Sequence, residues 1–333
     1  MQRASADPRE TALKQPDVSV VVASHGRARR LSTLLDALAE QTLDPERWKL
    51  VVVHTYDEEV TARVLEDHRL SRAGTLRHTA VDLAVARPSV QRNIGWRATG
   101  APLIAFTDDD CRPRKDWLER LVEAARAHPG AIVQGATRPD PREEKALSAT
   151  HVRTLHVNPP GRFTQTCNIL YERAVLERIG GFDERAITGE DIDLALRAQD
   201  AGARLVGAPG ALVYHAVEAL SFSEKVRSNQ KWQHLAYVVK QHPRLRAHCR
   251  FRIWWKPEHL YAALALAGLV GVRRHPWMLA AVMPYYRFER WRYGNSARQR
   301  VQMARRMPER WLVEIVEIGT FVRGSVRYHT ILL

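Results

Sequence analysis

Three consecutive aspartates, Asp108, Asp109 and Asp110, directly follow a short apolar segment at 102–106 that predicts a buried strand. Like charges repel at this spacing unless a cation lies among them, and the ligands of open α/β sheets bind beyond the carboxyl ends of the strands. Hard divalent cations prefer carboxylate and phosphate oxygens. The triplet therefore indicates a site for a metal ion and a diphosphate. The alternative is an acidic turn that caps a helix expected from 115 or 116.

Two further polar motifs flank this triplet. Residues 86–100 contain Gln-Arg-Asn-Ile-Gly and predict a short helix that ends at Gly100 as a C-cap. Residues 180–184 read Gly-Gly-Phe-Asp-Glu, and residues 189–193 read Gly-Glu-Asp-Ile-Asp at the start of another predicted helix. The helix dipole favours acidic residues in a first turn. That preference explains one acid, whereas this cluster has three.

The elements that would position these motifs alternate between strands and helices. Residues 18–23 form a continuous apolar run, typical of a strand covered on both faces. Four leucines then recur at helical spacing, at Leu31, Leu34, Leu35 and Leu38. Residues 50–53 and 76–79 predict the next two strands. Such alternation predicts an α/β fold with a parallel sheet and right-handed crossovers.

The order of these motifs resembles that of the family 2 glycosyltransferases, which are inverting enzymes with the GT-A fold. The resemblance includes Phe-x-Asp-Asp-Asp at 106–110 and Gly-Glu-Asp-x-Asp-Leu at 189–194, and it covers about residues 16–245. Over the last ninety or so residues it is loose, through Gly-Ser-Val-Arg at 324–327. It implies a Rossmann-like, mostly parallel sheet flanked by helices, with an α-helical C-terminal extension.

The resemblance also implies a nucleoside-diphosphate sugar as donor. In the family, the loops after the first, second and fourth strands hold the nucleotide. For the loop at 24–27, an ordinary strand-to-helix turn is the alternative. The family pattern after the second strand is replaced by His-Thr-Tyr-Asp-Glu at 54–58, which leaves the base unassigned. The implied donor-binding residues are Ser24, Gly26, Arg27, Asp57, Arg92, Asn93, Asp108 and Asp109.

A divalent cation, Mg or Mn, is the implied cofactor. The family motif places Asp110 on the metal, with Asp108 at the ribose or base and as a further ligand. His215 matches a position where relatives often have a histidine at the metal or diphosphate, although a histidine after a strand can also be structural. Cys111 is expected to fill space in the core rather than to ligate the ion.

The general base of the family falls on Asp191, with Glu190 beside it. An inverting transfer needs such a base to take the proton from the acceptor hydroxyl. The residues implied on the acceptor side are Asn168, Gly181, Phe182 and Asp183. The expected acceptor is a lipid-linked or cell-envelope glycan.

Composition limits the domain organisation. A chain of 333 residues with 45% hydrophobic residues predicts one large domain with an appendage. We expect a loose tail at 1–15 without a secretory signal, a catalytic domain at 16–245 and a helical region at 246–333. The three cysteines, Cys111, Cys167 and Cys249, show neither disulfide nor zinc spacing, so a reducing compartment is expected.

The C-terminal region is basic and aromatic. Residues 250–333 contain 15 Lys and Arg against 5 Glu, which accounts for +10 of the net charge of +14. Its apolar stretches, 261–272 and 277–286, are shorter than the roughly 20 residues of a membrane-spanning helix. The pattern favours attachment to the anionic inner face of the cell membrane. The alternative is a helical bundle packed on the catalytic domain or on a second subunit in a homodimer.

Three rival functions are less well supported. The pI of about 10.1 suggests nucleic-acid binding, but the excess charge lies outside the α/β region and no nucleic-acid-binding module is visible, so no nucleic acid partner is expected. A sugar-1-phosphate nucleotidyltransferase would need a Gly-rich, basic first loop, which Ser-His-Gly-Arg at 24–27 does not supply. An inactive membrane-binding scaffold is disfavoured by the intact Asp108, Asp110 and Asp191.

Overall fold

The computed structural model describes residues 15–55, 59–294 and 296–333. These residues form two compact units, each assembled from separate stretches of chain. The first unit contains the described residues up to Asp140, then Leu155–Phe182 and Arg197–Ala216. The second unit contains Pro141–Thr154, Asp183–Leu196 and Val217–Leu333.

The strands of the described residues are β1 (Val18–Ala23), β2 (Trp48–Thr55), β3 (Leu76–Val81), β4 (Leu103–Asp108), β5 (Cys111–Pro113), β6 (Ile132–Pro139), β7 (His151–Arg153), β8 (Asn168–Glu172), β9 (Leu205–His215) and β10 (Glu218–Leu220). Eight of them form one sheet in the first unit, in the order β3-β2-β1-β4-β8-β6-β9-β5. The neighbouring strands from β3 to β4 are parallel, and β6 is parallel to β9. Strand β8 is antiparallel to both β4 and β6, and β5 is antiparallel to β9. The predicted mostly parallel sheet is therefore confirmed. The remaining strands, β7 and β10, pair antiparallel in the second unit.

The α-helices of the described residues are α1 (Ala28–Leu38), α2 (Glu59–Asp67), α3 (Arg69–Arg72), α4 (Pro88–Arg97), α5 (Trp117–Ala127), α6 (Arg173–Ile179), α7 (Glu190–Asp200), α8 (Phe222–Asn229), α9 (Leu235–Gln241), α10 (Pro257–Gly271), α11 (Met283–Tyr293) and α12 (Ala297–Tyr328). Short 3-10 helices occupy Pro45–Arg47, Pro141–Ser148, Gln230–His234, Pro243–His248 and Pro276–Val282.

The core of the first unit lies between the sheet and its helices. Alternate residues of β1, beginning at Val18, pack with the four predicted leucines of α1, all of which are buried. On α4, Gly95 lies so close to β1 that a Cβ atom would be 2.4 Å from Val21 Cγ1. The glycine of the Gln-Arg-Asn-Ile-Gly motif is therefore required by the close approach of this helix to the strand.

Helix α4 ends earlier than the sequence predicts. It ends at Arg97, with Ala98 as a right-handed C-cap, so the prediction of a Gly100 cap was wrong. Carbonyls in and after the last turn of the helix accept hydrogen bonds from a side chain instead. The Arg173 guanidinium donates to the carbonyl oxygens of Trp96 at 2.9 Å, Ala101 at 2.8 Å, and Thr99. Because these acceptors are paired, no left-handed residue is needed there.

The C-terminal residues are helical, as predicted. Ala262 and Ala265 of α10 pack with Tyr285 of α11, and Trp311 of α12 covers them. Among the helices that the structure describes, none is long and apolar enough to span a membrane.

Candidate active site

The acidic triplet lies at one edge of the large sheet. Asp108 ends β4 and is aligned with Ala23, the last residue of the parallel strand β1. Asp109 and Asp110 form the turn between β4 and β5. Parallel pairing therefore brings the loop after β1 and the aspartates to the same edge. Helix α5 begins only at Trp117, with Asp116 at the N-cap position, so the triplet does not cap it.

Two guanidinium groups compensate these carboxylates. Arg27 Nη1 lies 3.0 Å from Asp109 Oδ1 and 2.7 Å from Asp110 Oδ2. Arg92 Nη2, which α4 supplies, lies 2.7 Å from Asp108 Oδ1. The repulsion expected from three adjacent carboxylates is thus offset by residues of the predicted donor-binding set.

Asp109 is the most enclosed member of the triplet. Its Oδ2 accepts hydrogen bonds from Ser24 Oγ at 3.0 Å and from the His25 backbone N–H at 3.3 Å. Burial raises the pKa of Asp109 to about 6, although the Arg27 charge lowers it. Gly26 has a left-handed φ of 65°, which suits the tight turn that aims these groups at Asp109.

Asp110 faces His215 across the β5–β9 pairing, in which Cys111 is aligned with His215. His215 Nδ1 lies 2.9 Å from the Ala216 carbonyl oxygen, which can only accept, so Nδ1 carries the hydrogen. Nε2 is the ring nitrogen that faces the carboxylate, and it lies 3.5 Å from Asp110 Oδ1. The Ala216 N–H donates to the Asp110 carbonyl at 2.9 Å, which fixes this pair.

The Asp110 Oδ1 atom is buried, and it has no hydrogen-bond donor within the part of the chain that the structure describes. Asp110 Oδ, His215 and Cys111 each offer a ligand atom, and these atoms lie within 4.8 Å of one another. Burial raises the pKa of the Cys111 thiol, which keeps it protonated and a poor ligand. An acceptor pair made of Asp110 and His215 fits a cation.

Helix α4 contributes two buried amides. Gln91, which was not among the predicted site residues, donates from Nε2 to the carbonyls of Ser24 and Val53, both at 2.9 Å. It thereby holds the ends of β1 and β2 together. Asn93 is 1% exposed, and its amide exchanges hydrogen bonds with the Phe182 backbone N–H and carbonyl, both at 2.9 Å. In the structure, Asn93 thus contacts the Gly-Gly-Phe motif.

The Gly-Gly-Phe motif is shaped by this contact. Gly181 has a φ of 75°, and a Cβ atom there would lie 2.5 Å from Asn93 Oδ1. Phe182 is buried, and the Arg92 guanidinium lies 5.8 Å from its ring. The Phe182 ring of this motif therefore packs against Arg92, the arginine that pairs with Asp108.

Asn168 lies in the core of the sheet. Its amide donates to the carbonyls of Ala136 at 2.7 Å and Ala211 at 2.8 Å, and its Oδ1 accepts from Trp117 Nε1 at 2.8 Å. These bonds join β8 to β6 and β9 where the β6–β9 register shifts. The side chain supports the sheet at that irregularity.

The second acidic cluster begins α7, in the second unit. Glu190, Asp191 and Asp193 occupy the first turn. Asp191 is half-buried, and its Oδ1 lies 2.8 Å from the Ile192 backbone N–H. Asp193 is buried, and its Oδ1 lies 2.8 Å from His242 Nε2. His242 was not predicted as a partner, because 49 residues separate it from Asp193 along the chain.

Asp183 is fixed by residues of the second unit. It accepts hydrogen bonds from the Arg185 side chain at 2.9 Å and from the Tyr237 hydroxyl at 2.7 Å. Burial alone would raise the pKa of Asp183, but these bonds outweigh burial and hold it at about 2. Asp183 is therefore ionised at any ordinary pH. Of the predicted residues, Asp57 lies outside the described part of the chain.

A comparison with protein families decides the class of this chain. A family model described as glycosyltransferase-like family 2 matches residues 16–234, more than half of the chain. The chain belongs to this family. The predicted family and the prediction of a glycosyltransferase enzyme are thus confirmed, and none of the rival functions is favoured.

Relatives of this family 2 glycosyltransferase include glycosyltransferase AglE of Haloferax volcanii, with 25% identity over 205 residues. That match covers 60% of this chain and 67% of AglE. The O-antigen biosynthesis protein RfbC of Myxococcus xanthus is 26% identical over 291 residues. The match covers 78% of this chain but only 21% of RfbC, so this chain spans a small part of that protein.

Among solved structures, the enzyme resembles the mannosyltransferase PcManGT from Pyrobaculum calidifontis, determined in complex with GDP-Man and Mn2+. The TM-score is 0.56 at 18% identity, over 95% of this chain and 87% of PcManGT. At that identity the likeness shows the fold. The predicted GT-A fold with a helical C-terminal region is confirmed.

Proposed function

We propose that this enzyme is an inverting, divalent-metal-dependent glycosyltransferase. It moves a sugar from a nucleoside-diphosphate sugar to a hydroxyl of a lipid-linked or cell-envelope glycan. One observation carries the donor half of this function. The buried Asp110 Oδ1 has no hydrogen-bond donor among the described residues, and His215 Nε2 lies 3.5 Å from it, so a cation between them would have one carboxylate oxygen and one imidazole nitrogen as ligands.

Asp110 and His215 would hold the ion, with Asp108 as a further ligand. Both Mg and Mn accept carboxylate oxygens, and an imidazole nitrogen favours Mn. The presence of Mn2+ in the PcManGT complex supports this assignment. When bound, the ion neutralises the charge that develops on the departing diphosphate.

The chain supplies its own positive charge to the donor. Arg27 and Arg92 lie at the carboxylates of the triplet and present guanidinium groups suited to phosphate oxygens. Ser24 and Gly26 shape the loop after β1, and Asp109 anchors it. Asn93 contributes indirectly, through its hydrogen bonds to the Phe182 backbone. Asp57 is the remaining residue of the proposed donor set.

On the acceptor side, Asp191 would take the proton from the attacking hydroxyl as general base. Its place in the Gly-Glu-Asp-x-Asp motif and its half-buried position at the start of α7 support this role. Glu190 adds negative charge beside it. We place Gly181, Phe182, Asp183 and Asn168 on the acceptor side as residues that shape or support it.

We further propose 16–245 as the catalytic region, and 246–333 as its attachment to the anionic inner face of the cell membrane. Large apolar side chains are exposed on α10, α11 and the segment between them, including Val270, Trp277, Met283 and Trp291. Arginines lie between them in the sequence. The RfbC name, O-antigen biosynthesis protein, supports a cell-envelope acceptor.

A donor-hydrolysis screen tests this function without knowledge of the acceptor. UDP-, dTDP- and GDP-sugars are incubated with the full chain and Mg or Mn, and release of the nucleotide is measured. We expect metal-dependent release from one class of donor. We also expect metal-dependent nucleotide binding, measured by calorimetry, to be lost in Asp110→Asn. Unchanged metal-dependent affinity in a folded Asp110→Asn variant would refute the donor site.

A further inference from the structure

A second cluster of ligand-type side chains lies inside the second unit, in residues that the proposed transfer does not use. His259 is on α10, and Glu314 and Glu317 are three residues apart on α12. His259 is 0% exposed and Glu317 is 1% exposed. Residues three apart on a helix share a face, so the two carboxylates point in the same direction.

Several polar atoms of this cluster are left without partners. Among the described residues, neither ring nitrogen of His259 has a hydrogen-bond partner, and the same holds for Glu314 Oε2. A buried polar atom without a hydrogen bond destabilises the folded state. The Phe321 ring packs 5.4 Å from the imidazole and supplies no hydrogen bond. Within the described residues, these atoms face one another without a hydrogen bond, and a shared cation is a partner that would suit them.

The distances fit a shared cation. His259 Nε2 lies 3.4 Å from Glu314 Oε2 and 3.8 Å from Glu317 Oε2. The three side chains offer ligand atoms that all lie within 4.8 Å of one another. Metal bonds of about 2.0–2.2 Å to nitrogen and oxygen bring ligands to about 3.0–3.6 Å from each other. Both histidine–glutamate distances lie within a few tenths of an ångström of that range.

The carboxylates of the cluster are only partly paired. Glu317 Oε1 pairs with Lys256 Nζ at 2.5 Å, while Oε2 faces the histidine. Lys225, Arg292 and Arg310 line the adjoining cavity together with Glu258, so the surroundings contain charges of both signs. Glu314 Oε2 and Glu317 Oε2 are the oxygens turned towards His259.

A cavity beside the cluster has room for an ion to enter and for water molecules as further ligands. A cavity of about 190 Å³ is lined by Glu314, Glu317, Lys256, Thr150 and Arg292 among others. A water molecule occupies about 30 Å³ of liquid volume, so the cavity has room for several. Three protein ligands with water in the remaining positions is an ordinary coordination for a transition-metal ion.

We propose that His259, Glu314 and Glu317 form a second metal site, for a transition dication such as Zn2+, that links α10 to α12. An imidazole nitrogen with two carboxylates suits Zn2+ better than Mg2+ or Ca2+. The site is made of residues other than Asp110 and His215, and it would stabilise the helical part of the second unit.

The test uses the full chain with Asp110→Asn, so that the donor-site metal does not contribute. The protein is treated with a chelator and dialysed, and Zn2+ binding is measured by calorimetry. Co2+ is then added, and its visible absorption reports on coordination. Glu314→Gln removes a ligand at nearly constant volume, and His259→Asn is a second, independent variant. Glu309→Gln on the same α12 is the matched control, because its carboxylate contacts His151 outside the cluster.

We expect about one equivalent of Zn2+ and a Co2+ spectrum typical of bound ion in the Asp110→Asn protein. Both should persist in the Glu309→Gln control and be lost in Glu314→Gln and in His259→Asn. Zn2+ should also raise the Tm by a few degrees only where it binds. Absence of binding in the Asp110→Asn protein, or undiminished binding in folded Glu314→Gln and His259→Asn variants, would overturn the site. The cluster would then be a metal-free ion pair of a protonated histidine.

Discussion

At the scale of single residues, the proposed donor site has its own cation on the carboxylates proposed for the metal. Arg27 Nη1 contacts both Asp109 and Asp110. A metal ion that binds Asp110 must therefore compete with this guanidinium. In the proposed function, the displaced guanidinium then binds the diphosphate.

Arg27→Ala should strengthen Mn2+ binding in the absence of nucleotide by about fivefold, the equivalent of about 1 kcal/mol for a partly exposed ion pair. It should weaken nucleotide binding in the presence of Mn2+, because a phosphate-binding group is lost. Free Mn2+ can be followed by electron paramagnetic resonance. Arg29→Ala, an exposed arginine in the first turn of the following helix α1, is the control. Equal Mn2+ affinity in Arg27→Ala and the native protein would show that Arg27 does not compete.

Asp191→Asn should leave donor binding nearly unchanged and slow transfer by about a hundredfold or more, which is what a positioned general base contributes. The measurement pairs nucleotide calorimetry with a transfer assay. Asp200→Asn, at the far end of α7, should affect neither. Loss of donor affinity with normal transfer would assign Asp191 to the donor and leave the base to another acid.

The sequence was sufficient to predict that the three aspartates follow a buried strand at the edge of the sheet, because each part of that pattern is local in the chain. Their role at the donor stays a prediction. The sequence could not predict which atoms pair. Arg27 was expected at a diphosphate, and the structure places it on Asp109 and Asp110. Asn93 and Asn168 were expected at the ligand, and both have their amides bonded inside the core. Spacing along a chain does not show where an amide points.

At the scale of elements, the site depends on which strands are neighbours. The sequence predicted β1, β2 and β3, and the helices between them, because each is a separate apolar segment. It did not predict that β8 pairs antiparallel with β4, since this pairing joins segments some sixty residues apart. The early end of α4 was missed for the same reason, because Arg173 lies far along the chain.

The Asp183 contacts tie the segment before α7 to α9, and they predict a pH dependence. The pKa of Asp183 is held at about 2, below its unfolded value of about 3.9. Its contribution to stability is therefore complete above about pH 4 and is lost as the pH falls through 2. The stability difference between native protein and Asp183→Asn should be constant from pH 7 to 5 and shrink below 4.

Chemical denaturation at several pH values measures this difference. Glu184→Gln, the exposed neighbouring acid, is the control and should show no such trend. A difference that stays constant down to pH 3 would mean that the hydrogen bonds from Arg185 and Tyr237 do not stabilise the charged form of Asp183.

At the scale of the whole molecule, the two compact units interleave along the chain, which a linear pattern does not reveal. The proposed boundary at 245 therefore remains a prediction. Composition did show that the C-terminal helices are rich in basic and aromatic residues. Trp277 and Trp291 are 74% and 81% exposed, which is unusual for the largest apolar side chain.

Trp277→Ser combined with Trp291→Ser should weaken binding of the full chain to anionic liposomes by at least about tenfold, since burying a large apolar side chain contributes about 1.5–3 kcal/mol. High salt should weaken binding further without abolishing it, because basic residues contribute about 1 kcal/mol each at the surface. Co-sedimentation measures both effects. Val60→Ser with Val85→Ser, which are also exposed, is the control.

Two outcomes would count against the membrane proposal. Equal binding to neutral and anionic liposomes would remove the electrostatic contribution. No binding to either, together with a stable dimer in solution, would favour the alternative, a helical bundle that packs on a second copy of the chain.

The hydrogen bond between the Ala216 N–H and the Asp110 carbonyl makes this amide a probe for hydrogen exchange. This amide can exchange its hydrogen with solvent only when β5 and β9 separate beside His215. Its exchange rate therefore reports the free energy of local opening at the proposed metal pair. The exchange rate at this one backbone position, measured without any substitution, therefore reports how rigidly Asp110 and His215 are held before a ligand binds.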